Sequence, residues 1–120
     1  MDSTTTNKHL DQLISSVINS FPPIQHGFDE YQSTCFVARP PEFFCLELCG
    51  EAGELANLEK KKWKGKDINN ERLEEEAADI LIALCNYSNV RGINLAQAVT
   101  KKLQTIEAKR IQLEKSGEPY

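Results

Sequence analysis

Apolar residues recur at helical spacing along most of the chain. Leu10, Leu13, Ile14, Val17 and Ile18 form a stripe that predicts a helix over residues 7–20, ended by Pro22-Pro23. A second helix is expected over about 28–38, starting near Phe28-Asp29 and stopped by Pro40-Pro41. A third, over about 41–64, has Pro41 in its first turn and Gly65 just past its end. Asn69 or Asn70 caps a fourth that runs to Val90 and stops at Gly92, and Asn94 caps a fifth that runs to about Lys115. The connections are short, so consecutive helices are expected to be antiparallel neighbours. The expected fold is all-α, an antiparallel bundle of about five helices. It reads as a single domain: an N-terminal helix and linker over residues 1–27, a helical core over 28–115 and a tail over 116–120.

The fourth helix changes this picture. From Ala77 to Val90 its one charged residue is Asp79. A helix that is apolar on nearly every side must be buried on nearly every side. A chain of 120 residues struggles to surround one helix completely. An obligate homo-oligomer is therefore expected, with this helix near the shared core.

Composition narrows the function classes. With 40% hydrophobic and 27% charged residues the chain is globular rather than disordered. A net charge of −4 argues against sequence-independent nucleic-acid binding, which needs a basic field. No apolar run approaches the length of a membrane span. The start, Met1-Asp2-Ser3-Thr4-Thr5-Thr6-Asn7, is polar and lacks the plan of a signal peptide, so a cytoplasmic location is expected. There the cysteines at 35, 45, 49 and 85 read as small core residues rather than disulfide partners.

Two acidic motifs carry the candidate chemistry: Glu51-Ala52-Gly53-Glu54 and Glu76-Ala77-Ala78-Asp79. Each has i, i+3 spacing, which places its two carboxylates on one helix face. Glu47, one turn before Glu51, joins the same stripe. Phe44, Leu48, Ala52 and Leu55 run beside the first pair, and Leu73, Ala77, Ile80 and Leu84 beside the second. Both pairs thus border the core-facing stripe. If the two helices pair as a hairpin, four carboxylates converge in a partly desolvated groove and repel one another. A divalent cation resolves that conflict; Mg²⁺ takes oxygen ligands and keeps open positions for a substrate phosphate, and Mn²⁺ is a possible substitute. The competing reading is a pair of solvated acidic faces, with Glu74, Glu75 and Glu76 favoured by the positive end of their helix. Gly50 and Gly53 each cost a helix about 1 kcal/mol relative to alanine. They suit a place where a ligand or another helix comes close.

The run Cys49-Gly50-Glu51-Ala52-Gly53-Glu54-Leu55, followed by Glu75-Glu76-Ala77-Ala78-Asp79-Ile80-Leu81-Ile82, resembles the all-α nucleoside triphosphate pyrophosphatases of the MazG-like type, relatives of dCTP pyrophosphatases and dimeric dUTPases. Gly92-Ile93-Asn94-Leu95, Ala98-Val99 and Lys102-Leu103 fit the continuation, and the similarity covers roughly residues 28–110. The resemblance implies a house-cleaning hydrolase that splits a (deoxy)nucleoside triphosphate, such as dCTP, between the α and β phosphates. It implies Mg²⁺ held by Glu51, Glu54, Glu76 and Asp79, and a homodimer or dimer-of-dimers tetramer. The chain departs from the family in having Ala83 where an aromatic often stands, and in lacking an asparagine in the segment Lys102 to Arg110.

Within that frame a water, held by metal or oriented by a carboxylate, attacks phosphorus in line with the departing pyrophosphate. Glu47 is a candidate base, an outer ligand or a solvated acid. Lys64 at the end of the third helix, and Lys102, Lys109 and Arg110 on the last, are candidates for phosphate contacts or for favourable helix ends and solubility. Trp63 either packs in a dimer core or stacks on a base; Phe44, with Tyr31 and Phe43, walls a base pocket or packs in the core. Asn86 contacts substrate or satisfies a buried neighbour. His26 is expected in a loop. Two other readings are a phosphoribosyl-nucleotide pyrophosphatase of the same superfamily and a non-catalytic helical dimerisation or regulatory module with a structural cation.

Overall fold

The structure, a computed structural model, describes residues 7–120; the polar start over residues 1–6 lies outside the described residues. Among the described residues the chain is all-helical, with α1 over Lys8–Cys35, α2 over Pro41–Trp63, α3 over Asn70–Arg91 and α4 over Leu95–Ser116. The all-α class agrees with the sequence pattern. The helix count does not: the first two expected helices are one, and Pro22 and Pro23 lie inside it.

The stripe of half-buried positions shows why. Leu10, Ile14, Val17, Phe21, Gln25, Phe28 and Gln32 follow one another at steps of three or four straight through the proline pair. A proline inside a helix removes a hydrogen bond to the carbonyl four residues back, at a cost of about 3 kcal/mol. The prolines themselves, and Ile18 and Asn19 whose carbonyls lose those bonds, are on the exposed side where water can serve. His26 and Gly27 are consequently helical rather than in a loop, and the His26 Nε2 lies 3.7 Å from Glu30.

The other boundaries follow local chemistry. Pro40 precedes α2, and Pro41 sits at the helix start where a missing N–H costs nothing. The Asn69 side chain accepts from the Glu71 N–H at 3.0 Å, and Asn94 caps α4 by accepting from the Gln97 N–H at 3.1 Å. Asn7 does the same for α1, accepting from His9 and Leu10. Gly92 ends α3 at φ 70°, a conformation open to glycine, while the Ile93 N–H reaches back to Ser88 at 2.8 Å.

The chain divides into two compact units, one taking the chain up to Ile24 with Asn94–Tyr120, the other Gln25–Ile93. In the first, the Asn7 amide donates to Glu107 on α4 at 3.1 Å. In the second, α2 and α3 pack directly against one another, joined by the short connection 64–69. The second half of α1 is tied to the end of α3 by side-chain bonds: Gln25 donates to the Ile93 carbonyl at 2.6 Å, Asn89 to the Gln25 carbonyl at 3.0 Å, and Asn86 to Gln32 at 3.3 Å.

The buried apolar set is small: Phe44, Leu58, Ala83, Cys85, Leu95 and Ala96. Of the cysteines only Cys85 is buried; Cys35, Cys45 and Cys49 are exposed in this chain, which corrects their reading as core residues. They fall on the outward sides of α1 and α2, away from the positions that meet α3.

Candidate functional site

The α2–α3 pair positions the acidic motifs. Phe44 and Leu58 are buried, and Leu48, Leu55, Leu73, Ile80 and Leu84 are half-buried, so the large residues of the apolar stripes expected beside the acids face inward, whereas Ala52 and Ala77 of those stripes are exposed. Glu51 and Glu76 are carried to the edge of that contact and are half-buried, while Asp79 is exposed. One carboxylate oxygen from each of Glu51, Glu76 and Asp79 lies within 4.8 Å of the others. Glu54 is exposed and stands outside this trio, but its carboxylate is also within hydrogen-bonding reach of Glu76 and acts on it by that contact first and by charge second. Glu47 lines a cavity of about 130 Å³ together with Glu51, Asp79, Ile82 and Ala83.

The electrostatics of Glu76 reflect this crowding. Its carboxyl is raised from 4.5 to about 7, first because the Glu51 carboxylate stands within hydrogen-bonding reach and favours a proton between them, then by burial, then by Glu54. Its Oε2 is buried without a hydrogen-bond partner. Among the described residues, no ion pair engages Glu51, Glu76 or Asp79. A set of hard oxygen donors, two of them half-buried, unneutralised and with one oxygen orphaned, fits a divalent cation.

The remaining candidate residues belong to several elements. Phe44 and Asn86 are buried and both line a second cavity beside the first. Trp63, the last residue of α2, is 88% exposed, so it takes no part in this chain's own core. Lys64 follows it as the helix cap, its N–H bonded to the Lys60 carbonyl, with its side chain exposed. Lys102, Lys109 and Arg110 lie on α4, in the unit that does not contain the carboxylates. Arg110 is engaged by Glu107 at 2.6 Å and Glu114 at 3.2 Å. Lys109 Nζ lies 5.7 Å from the Tyr120 ring. Among the described residues, a side chain built at Gly50 or Gly53 would meet nothing within 4 Å. Gln32, Phe36 and Arg39 line the second cavity and were not singled out by the sequence. Their position just before the Pro40-Pro41 break, at the junction of α1 and α2, is the signal for Phe36 and Arg39.

The model of the MazG nucleotide pyrophosphohydrolase domain matches residues 39–111, more than half of the chain and all of both acidic motifs. The chain belongs to the MazG family. Its domain is that of a nucleotide pyrophosphohydrolase, a hydrolase with a nucleotide substrate, and the trio Glu51, Glu76 and Asp79 lies within the matched span. No curated protein and no solved structure matches the chain. No helix of this MazG-family protein, among the described residues, is long and apolar enough to cross a membrane.

Proposed function

We propose that this MazG-family protein is a Mg²⁺-dependent pyrophosphohydrolase that splits a nucleoside triphosphate, with dCTP a candidate, between the α and β phosphates. The product pair is the monophosphate and pyrophosphate, as suits a house-cleaning enzyme of the nucleotide pool. The observation that carries this reading is the convergence of Glu51, Glu76 and Asp79 within 4.8 Å, with the buried Oε2 of Glu76 left unbonded. These residues, with Glu54 beside them, would hold the cation. A bound divalent cation neutralises the pooled charge and withdraws electron density from phosphoryl oxygens. Glu47 lines the same cavity as Glu51 and Asp79 and is exposed to water. In this reading it orients the attacking water and takes its proton as the P–O bond to the leaving pyrophosphate breaks.

A homo-oligomer belongs to the same proposal. Leu81, Ile82 and Val90 of α3 are each more than 40% exposed in the single chain, and Leu46 on α2 is 72% exposed. That much uncovered apolar surface on the pair that carries the site favours a second copy over it. Open space at Gly50 and Gly53 leaves room for one.

The test is a panel of deoxynucleoside and ribonucleoside triphosphates incubated with the protein and Mg²⁺, with nucleotide products and pyrophosphate both measured. Monophosphate and pyrophosphate in equal amounts are expected. Diphosphate with orthophosphate, or no turnover of any triphosphate with either Mg²⁺ or Mn²⁺, contradicts the proposal.

A further inference from the structure

Beside the carboxylates lies a cavity of about 390 Å³ lined by Gln32, Phe36, Phe43, Phe44 and Asn86, with Glu47 and Ile82 shared between it and the acidic cavity. Phe43 and Phe44 meet edge to face with ring centroids 5.4 Å apart, and the Arg39 guanidinium sits 4.6 Å over Phe43. Aromatic walls of this kind suit the flat faces of a heterocycle.

One wall is polar. Asn86 is only 7% exposed, yet its carboxamide is half satisfied: the Nδ2 donates to Gln32 Oε1 at 3.3 Å, and the Oδ1 accepts nothing. A buried carbonyl without a donor is unfavourable, and such orphans mark places where a partner is missing. With that bond made, the pair offers one acceptor, Asn86 Oδ1, and one donor, the Gln32 amide N–H. Gln32 also lies outside the span that matches the family.

We infer that Asn86 and Gln32 read the hydrogen-bonding edge of the nucleobase, and that the base they accept carries an amino group beside an unprotonated ring nitrogen, as cytosine and adenine do. The exocyclic amine donates to Asn86 Oδ1 and the ring nitrogen accepts from Gln32. Uracil and hypoxanthine present the opposite order, an oxo group beside a ring N–H, and leave Asn86 facing an oxygen. This rests on the reading of the adjoining carboxylates as the triphosphate end of the site; Glu47, common to both cavities, marks where base and phosphate ends meet.

The experiment compares substrates that differ only in amino against oxo: dCTP with dUTP, and dATP with dITP. The full chain is assayed as wild type, Asn86→Leu and Gln32→Leu, for kcat/KM in each pair. In parallel, binding of dCMP and dUMP, and of dAMP and dIMP, to the metal-free protein is measured by calorimetry. Wild type is expected to favour the amino member of its better pair by about tenfold or more, and Asn86→Leu to bring that ratio close to one. A packing role alone lowers both members equally and leaves the ratio unmoved. Turnover with an unmoved ratio, or a wild-type preference for the oxo member, overturns the base assignment and leaves the pyrophosphohydrolase proposal standing. Monophosphate binding that favours the amino member through Asn86, without triphosphate turnover, supports the base site and overturns the pyrophosphohydrolase proposal. Equal binding of both members by wild type overturns the inference. Should Asn86→Leu lose its helical circular dichroism, the half-buried Gln32→Leu carries the same comparison.

Discussion

Moving from pH 8 to pH 6 should weaken divalent-cation binding by about tenfold. The Glu76 carboxyl is raised to about 7 by Glu51 within hydrogen-bonding reach, by burial and by Glu54. A cation needs that carboxylate ionised, so proton and cation compete for it. With half-protonation near pH 7, the apparent Kd stands about elevenfold above its limiting value at pH 6 and about 1.1-fold above it at pH 8. Calorimetric titration of Mg²⁺ or Mn²⁺ into metal-free protein, in buffers of different ionisation enthalpy, reads affinity and proton release together. About 0.9 proton should leave per cation at pH 6 and about 0.1 at pH 8. The same shift sets the stability of the metal-free fold. Between about 4.5 and about 7 the folded chain keeps a proton that the unfolded chain has released. Metal-free stability is therefore unaffected by this group below that window, falls as pH rises through it, and levels off above. Saturating cation should flatten the trend. A Kd that is the same at pH 6 and pH 8, or a metal-free protein that gains stability across the window, refutes the reasoning.

Three further outcomes follow from the same structure. Glu47→Gln should lower kcat by about 10²-fold or more while leaving cation affinity within a few-fold, the mark of a lost general base; unchanged turnover removes Glu47 from the mechanism. Leu58→Ala, at a position only 2% exposed in the α2–α3 contact, should cost about 2–5 kcal/mol in denaturant unfolding; a loss well under 1 kcal/mol would mean that contact is not the core. Replacing Pro22 and Pro23 together by alanine should raise the melting temperature and the helical signal, since two missing backbone bonds are restored in α1; a fall would show that the proline pair is needed where it stands.

The sequence carried most of α2, α3 and α4, because each has a chemical signal at its start, Pro41, Asn69 and Asn94, and the first two have a glycine, Gly65 and Gly92, just beyond the end. It misread α1 because a local rule was weighed above a longer pattern. Pro22-Pro23 reads as a stop, whereas Phe21, Gln25, Phe28 and Gln32 continue the inward stripe; two of those four are polar and so escape a hydrophobic count. The convergence of Glu51, Glu76 and Asp79 was legible from two i, i+3 spacings on consecutive helices. The pairing of Gln32 with Asn86 was not, since it joins residues 54 positions apart through a packing that no local spacing encodes. The exposure of Cys45, Cys49 and Trp63 was likewise hidden, because composition tells how apolar a residue is and not whether its own chain covers it.

The most direct test sets wild type beside Asp79→Asn, with Mg²⁺ and the triphosphate that the panel shows to be best. Phosphorus NMR follows the products, and circular dichroism checks that both proteins remain helical. The wild type should convert the triphosphate to monophosphate and pyrophosphate, and Asp79→Asn should be slower by about 10²-fold or more at unchanged helicity, because a neutral amide replaces one of the three converging carboxylates. Equal turnover by the two proteins would contradict the account.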